Sequence, residues 1–205
     1  MLISGENSGK GSRSVMVAAN AIQVDGLGVL SNNWLQYGVG INGRIDGFIA
    51  YGNIAILGRL QSYASFGSNI GLLRRLRAGL DVALYNNATI AMNHRQQACA
   101  VLLISAVVAS KPIQAGGHNL TLYGGATRQT PIGRAADAFF TPASPAYAGI
   151  VGASVPISGN IALFFEYNPG GTQHSGGVGI LYAFPRETNT GDRVGGKDTP
   201  APPAK

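Results

Sequence analysis

Apolar and polar residues alternate along most of residues 14–184, a period-two pattern that predicts β-strands. In 34–42, Leu35, Tyr37, Val39 and Ile41 alternate with Gln36, Gly38, Gly40 and Asn42. In 44–53, Ile45, Ile49 and Tyr51 share one face, with Arg44, Asp46 and Phe48 on the other. In 60–70, Leu60, Ala64, Phe66 and Ile70 oppose Gln61, Tyr63, Ser65 and Asn69. In 77–85, Leu80, Val82 and Leu84 oppose Arg77, Asp81 and Tyr85. Segments 160–167 and 177–184 repeat the pattern, with Phe165 and Tyr167 against Phe164 and Glu166, and Val178, Ile180, Tyr182 and Phe184 against Gly179, Leu181 and Ala183. Four less regular strands are expected near 14–23, 98–110, 119–128 and 147–156. The 98–110 run fits a buried helix on periodicity alone, but its Val and Ile favour a strand. The total is about ten, an even number. Asn42-Gly43 is a type I′ hairpin signal.

One strand face collects Gln36, Arg44, Asp46, Gln61, Asn69, Arg77, Asp81 and Glu166; the other is apolar. A soluble antiparallel sheet turns such an apolar face into its core. A membrane barrel turns it to lipid and the polar face to its lumen. The pattern is the same, inverted. The connections bear on the choice. The odd-numbered ones (24–34, 54–59, 86–97, 129–146, 168–174) average about ten residues, and the even-numbered ones (42–43, 71–75, 111–118, 157–159) about five. Long loops at one end and short turns at the other are expected of a transmembrane barrel, with both termini on the short-turn side.

Composition points the same way. Of 205 residues only 12% are charged and 45% are hydrophobic, with 30 glycines. Soluble domains carry about 25% charged residues. Residues 14–184 hold nine Lys/Arg and five Asp/Glu. A lipid-facing band excludes charge at ~2–4 kcal/mol for each Arg or Lys at mid-depth. The hydrophobic content excludes wholesale disorder, and the glycines exclude a coiled coil. The net charge of +6 comes from scattered residues, apart from Arg74, Arg75 and Arg77. No basic stripe with interleaved aromatics is present, so nucleic acid is not an expected partner. The single Cys99 excludes an intrachain disulfide framework.

No apolar run reaches the ~18–20 residues of a membrane-spanning helix, and the longest, Ala98–Ala109, matches the ~9–11 residues of a tilted membrane strand. The start, SGENSGKGS, only superficially resembles a phosphate-binding loop: three residues separate Gly5 and Gly9 where four are needed, and Gly11 takes the Ser/Thr place. Residues 1–13 lack the apolar core of a secretory signal and read as a flexible leader. Residues 185–205, rich in Pro and Gly, read as a disordered tail. The folded part is 14–184.

Two stretches carry a resemblance. The end Gly179-Ile-Leu-Tyr182-Ala-Phe184 is similar to the terminal assembly signal of bacterial outer-membrane β-barrels. The run Tyr37-Gly-Val-Gly-Ile-Asn-Gly-Arg-Ile-Asp-Gly-Phe-Ile-Ala-Tyr51-Gly resembles hairpins of small porin-like members of that class. The resemblance implies a closed, antiparallel, up-and-down barrel. It also implies location in the outer membrane and partnership with the bilayer, the assembly machinery and other envelope proteins. Phe184 is followed by 21 residues here, where the class ends on its Phe.

The resemblance leaves three functions open. The first is a narrow pore or a structural or interaction element of the envelope. Its lumen would be lined by Gln36, Arg44, Asp46, Gln61, Asn69, Arg77, Asp81 and Glu166, with paired charges filling it or selecting solutes. The second is a soluble barrel or sandwich that binds a partner. The third is a surface enzyme, requiring His94 or His174 near a carboxylate or Ser. No GxSxG or HExxH motif supports the third, and no cofactor motif is found. His118 reads as an ordinary loop residue. Arg74, Arg75 and Arg77 flank a turn, where they would meet lipid headgroups or water. Phe139-Phe140 in the longest loop would pack on the surface or fold into the barrel mouth. Asn87 and Asn119 match glycosylation sequons, which carry no meaning in a bacterial barrel.

Overall fold

The computed structural model describes residues 10–24, 28–56, 59–74, 79–93, 98–132, 146–170 and 173–185. Ten strands follow in chain order: β1 (Arg13–Val24), β2 (Gly28–Gly40), β3 (Ile45–Ile56), β4 (Arg59–Leu73), β5 (Asp81–Asn93), β6 (Ala98–Ala115), β7 (His118–Ile132), β8 (Ala146–Ser158), β9 (Ile161–Asn168) and β10 (Gln173–Ala183). Each pairs antiparallel with its neighbours in sequence, and β10 returns to β1 to close the barrel. Closure leaves no edge strand with unpaired backbone groups. The seam runs from Ser14↔Ala183 to Val24↔Gln173, and the Phe184 N–H extends it by donating to the Arg13 carbonyl at 2.9 Å.

The expected all-β barrel of ten strands is the observed fold, and the 98–110 run is strand. The loop-length alternation does not hold. β2 begins at Gly28 rather than 34, β5 continues to Asn93, β7 reaches Ile132 and β10 starts at Gln173. Between strands, only 133–145 stays long. The absorbed stretches include Ser31-Asn32-Asn33, Asn86-Asn87 and Gln129-Thr130. They lack apolar alternation and so read as loop, but the ladder continues through them because hydrogen bonding needs only the backbone.

Two turns also depart from expectation. Asn42-Gly43 does not form a two-residue type I′ turn. Its turn covers 41–44, with the Asn42 side-chain oxygen accepting the Arg44 and Ile45 N–H groups at 2.7 and 2.9 Å. That is the backbone-mimicking hydrogen bond that suits Asn to turns. A two-residue hairpin instead joins β6 to β7 at Gly116-Gly117, both with positive φ (58° and 81°).

Directly opposed residues can be followed around the wall. From Asp81 the row passes Ser110, Tyr123, Gly152, Glu166, Gly177, Asn20, Asn32 and Ile54 to Gln61. Because Ser62 opposes Met92 on β5, the row ends about twelve residues further along β5 than it began, a stagger that tilts the strands by roughly 40°. One inward row therefore climbs from one rim toward the other.

Candidate functional site: the barrel wall and interior

Strand alternation gives the wall two faces. The outward face is apolar: Leu35, Tyr37 and Val39 on β2, Ile49 and Tyr51 on β3, Phe165 and Tyr167 on β9, and Val178, Ile180 and Tyr182 on β10 are all exposed. Among the described residues 26 large hydrophobic side chains are exposed. A soluble monomer rarely exposes even a few hundred Å² of contiguous apolar surface. The soluble alternative needs these residues buried, and the barrel turns them out. Aromatic residues stand toward both ends, with Tyr182 and Phe184 in edge-to-face contact at 5.2 Å near one. At the other, the Arg128 guanidinium lies 6.0 Å above the outward Tyr147 ring.

The inward face is more apolar than the polar, charge-paired lumen expected from sequence. Met16, Ala18, Trp34, Tyr85, Ala106, Val108, Tyr123, Ile150 and Phe164 form one buried cluster, with Phe48, Ala50, Tyr63, Ala162 and Leu181 packed against it. Every strand contributes to it. Phe48 and Tyr85 stack at 5.2 Å with planes 14° apart. Tyr63 lies over Gly52 and Tyr123 over Gly152, each the residue directly opposite, and a Cβ on either glycine would overlap the ring. Each hydroxyl then reaches the next strand. Tyr63 donates to Asn32 Oδ1 at 2.7 Å. Tyr123 donates to the Phe165 carbonyl at 3.3 Å and to Glu166 Oε2 at 3.5 Å.

The residues singled out from the sequence separate as follows. Glu166 is inward and 4% exposed, and Asn168 Nδ2 donates to its Oε1 at 3.0 Å and to Ser175 Oγ at 3.2 Å. Asp46 opposes Asn69, which opposes Tyr85; Asp81 opposes Ser110. Gln36 opposes Met16 and Ala50, and Gln61 opposes Ile54. All of these take inward register positions, and none of them is fully exposed. Arg44 is exposed in the 41–44 turn, away from the interior cluster. Arg77 lies outside the described residues, as do Arg75, His94 and Phe139-Phe140. Arg74 is exposed. Gly179 faces inward opposite Phe164 and Ala18, whereas Tyr182 and Phe184 are exposed.

His174 is outward and exposed, with Nδ1 3.4 Å from the Tyr167 hydroxyl. Among the described residues, no group of three His, Cys, Asp or Glu could hold a metal. Sequence reading missed Tyr123, Asn20, Asn32 and Ser110 as interior residues. They lie on the strands, or strand halves, with weak alternation. Their inward placement follows from the register between strands, which no local pattern encodes.

No protein-family model matches the chain, and no curated protein does. Solved structures do. The β domain of the Bordetella autotransporter BrkA aligns at 13% identity and TM-score 0.48, covering 85% of this chain and 100% of that one. An outer membrane channel from Pseudomonas putida F1 aligns at 10% identity and TM-score 0.43, covering 88% and 98%. The N-terminal β-barrel domain of Pseudomonas aeruginosa OprF aligns at 10% identity and TM-score 0.39, covering 86% and 100%. This chain is similar to them as a barrel. Such identities and scores carry none of their properties over to it.

Proposed function

We propose that the chain is a transmembrane barrel of a bacterial outer membrane, sealed to solutes, that serves as a structural or interaction element of the envelope. The apolar outward face supports membrane insertion, because lipid accepts such a face and water does not. The observation that carries the sealed reading is the interior cluster drawn from all ten strands. Large aromatic side chains reaching inward from several directions occupy the space a diffusion pore would need; small barrels are commonly filled in this way. Gly179, Tyr182 and Phe184 on the closing strand are the proposed recognition element for the assembly machinery.

The test has two stages. The purified chain is folded into detergent and run in SDS with and without boiling. A membrane barrel migrates differently when unboiled; an unchanged band from a protein soluble in plain buffer would reject membrane insertion. Vesicles containing the folded chain are then tested for sugar uptake. Exclusion of small sugars supports the sealed reading, and entry rejects it. In the sealed barrel the double substitution Phe48→Ala with Tyr85→Ala raises sugar entry.

A further inference from the structure

The outward face is not uniformly apolar. Ser68, Asn86, Ser105 and Arg128 oppose one another in turn on β4, β5, β6 and β7, and all four take outward positions. Asn86 lies at the middle of β5 and Ser105 near the middle of β6, and the Ser105 hydroxyl donates to Asn86 Oδ1 at 3.0 Å. A second outward pair, Ser62 donating to Asn53 at 2.8 Å, lies close to the strand ends at Arg59 and Ile56. The Asn86–Ser105 pair is instead placed at mid-height of the wall.

Hydrocarbon offers no hydrogen-bond partner, and a polar group left unanswered in it is costly. The Asn86 amide nitrogen donates to no side chain among the described residues. The Ser105 hydroxyl, having donated, keeps lone pairs that can accept. The pair thus presents an unused donor beside an unused acceptor. On a second copy, related by a two-fold axis along the membrane normal, the same pair brings acceptor to donor and donor to acceptor. Such self-complementarity is what an isologous contact requires. Neighbouring outward residues permit close approach: Ala88 is next on the face of Asn86, and Gly124 and Ala126 lie on β7. The opposite side of the barrel carries the bulkier Val178, Ile180 and Tyr182 on β10. Small residues and hydrogen bonds between segments drive association within a membrane, where apolar burial alone gains little.

We propose that the β5–β6 wall is the contact between two copies of this chain in the membrane, with Asn86 of each donating to Ser105 of the other. It rests on the membrane-barrel reading, because in water the same groups would be hydrated.

The full-length chain tests it, with donor and acceptor dyes on separate samples through the exposed Cys99, its single cysteine. Energy transfer is measured after the samples are mixed in phosphatidylethanolamine–phosphatidylglycerol vesicles, and mass by sedimentation equilibrium in density-matched detergent. The expected result is a dimer mass and transfer above that of randomly distributed barrels. Asn86→Leu is expected to raise the dissociation constant about tenfold, with the unboiled band in SDS retained. Ile180→Ala, on the opposite side, should leave association unchanged. Should Asn86→Leu fail to fold, Ser105→Ala carries the same test. A folded, SDS-resistant monomer overturns the pairing and leaves the membrane barrel standing. A dimer that neither Asn86→Leu nor Ser105→Ala weakens, or an assembly larger than two, also overturns it. A chain soluble in plain buffer, with no shift on boiling, overturns both readings.

Discussion

Tyr63 covers Gly52, its directly opposed neighbour on β3, so that the ring takes the space a Cβ would fill. Gly152 is covered by Tyr123 in the same way. The two pairs brace opposite parts of the wall and aim each hydroxyl at the adjacent strand. Gly52→Ala and Gly152→Ala are expected to destabilise the barrel by ~1–3 kcal/mol each, the usual cost of overpacking. Gly43, in a turn with nothing within 4 Å of an added Cβ, is the reference, and Gly43→Ala should be near neutral. Urea unfolding in lipid vesicles measures all three. Equal midpoints would show that the glycines do not matter to packing.

The Tyr–Gly pairing also shows where sequence reading stops. The outward face was legible because Leu35, Tyr37, Val39 and their counterparts recur every second residue, and lipid requires nothing more specific. The closed barrel followed from the strand number and the Gly179–Phe184 ending. The interior was less legible, because its contacts cross strands and depend on register. Whether Tyr123 meets Gly152 is decided by the β7–β8 pairing, which no local pattern encodes. The same limit applied to Asn20 and Ser110, which lie on strands with weak alternation. Arg44 was misplaced for another reason. Parity put it on the inward face, but the turn leaves it exposed before β3 begins.

The β6–β7 hairpin depends on backbone conformation rather than packing. Gly116 and Gly117 both have positive φ, and a side-chain carbon added at either would meet nothing within 4 Å. An L-residue pays roughly 1–2 kcal/mol to enter the left-handed region. Gly117→Val should therefore lower stability by at least that amount, since β-branched residues tolerate this region least. Gly159→Ala, in a turn without positive φ and with open space, should change little. Thermal shifts of the folded, SDS-resistant band would separate the two. Equal shifts would contradict a strained hairpin.

The two interior tyrosine hydroxyls are not equivalent. Tyr63 donates to Asn32 Oδ1 at 2.7 Å, whereas the Tyr123 contacts are 3.3 and 3.5 Å. A net hydrogen bond is worth about 0.5–1.5 kcal/mol, and its loss costs more when it strands a buried partner. Tyr63→Phe is expected to cost about 1 kcal/mol and Tyr123→Phe less. Both keep the ring over its glycine, so the difference isolates the hydroxyl. Denaturant midpoints in vesicles read it, and a larger loss at Tyr123 would reverse the assignment.

The outward face provides the sharpest contrast between lipid and water. Val107 is 50% exposed near the middle of β6, and Ile113 holds an outward position closer to the β6–β7 turn. In a soluble barrel, Arg at a half-exposed position away from special features changes stability by about 0.5 kcal/mol or less. In a bilayer, Arg costs ~2–4 kcal/mol at the midplane and ~0–1 kcal/mol near the interface. Val107→Arg should therefore destabilise strongly and Ile113→Arg weakly, with the native Lys111 between them marking where charge becomes tolerable. Folding equilibria in vesicles of one lipid composition give both values. A gradient from Val107 to Ile113 is the signature of a bilayer, because the two sites differ in depth. Two small and equal effects would mean that neither residue faces hydrocarbon, and the apolar exterior would then need a protein partner to cover it.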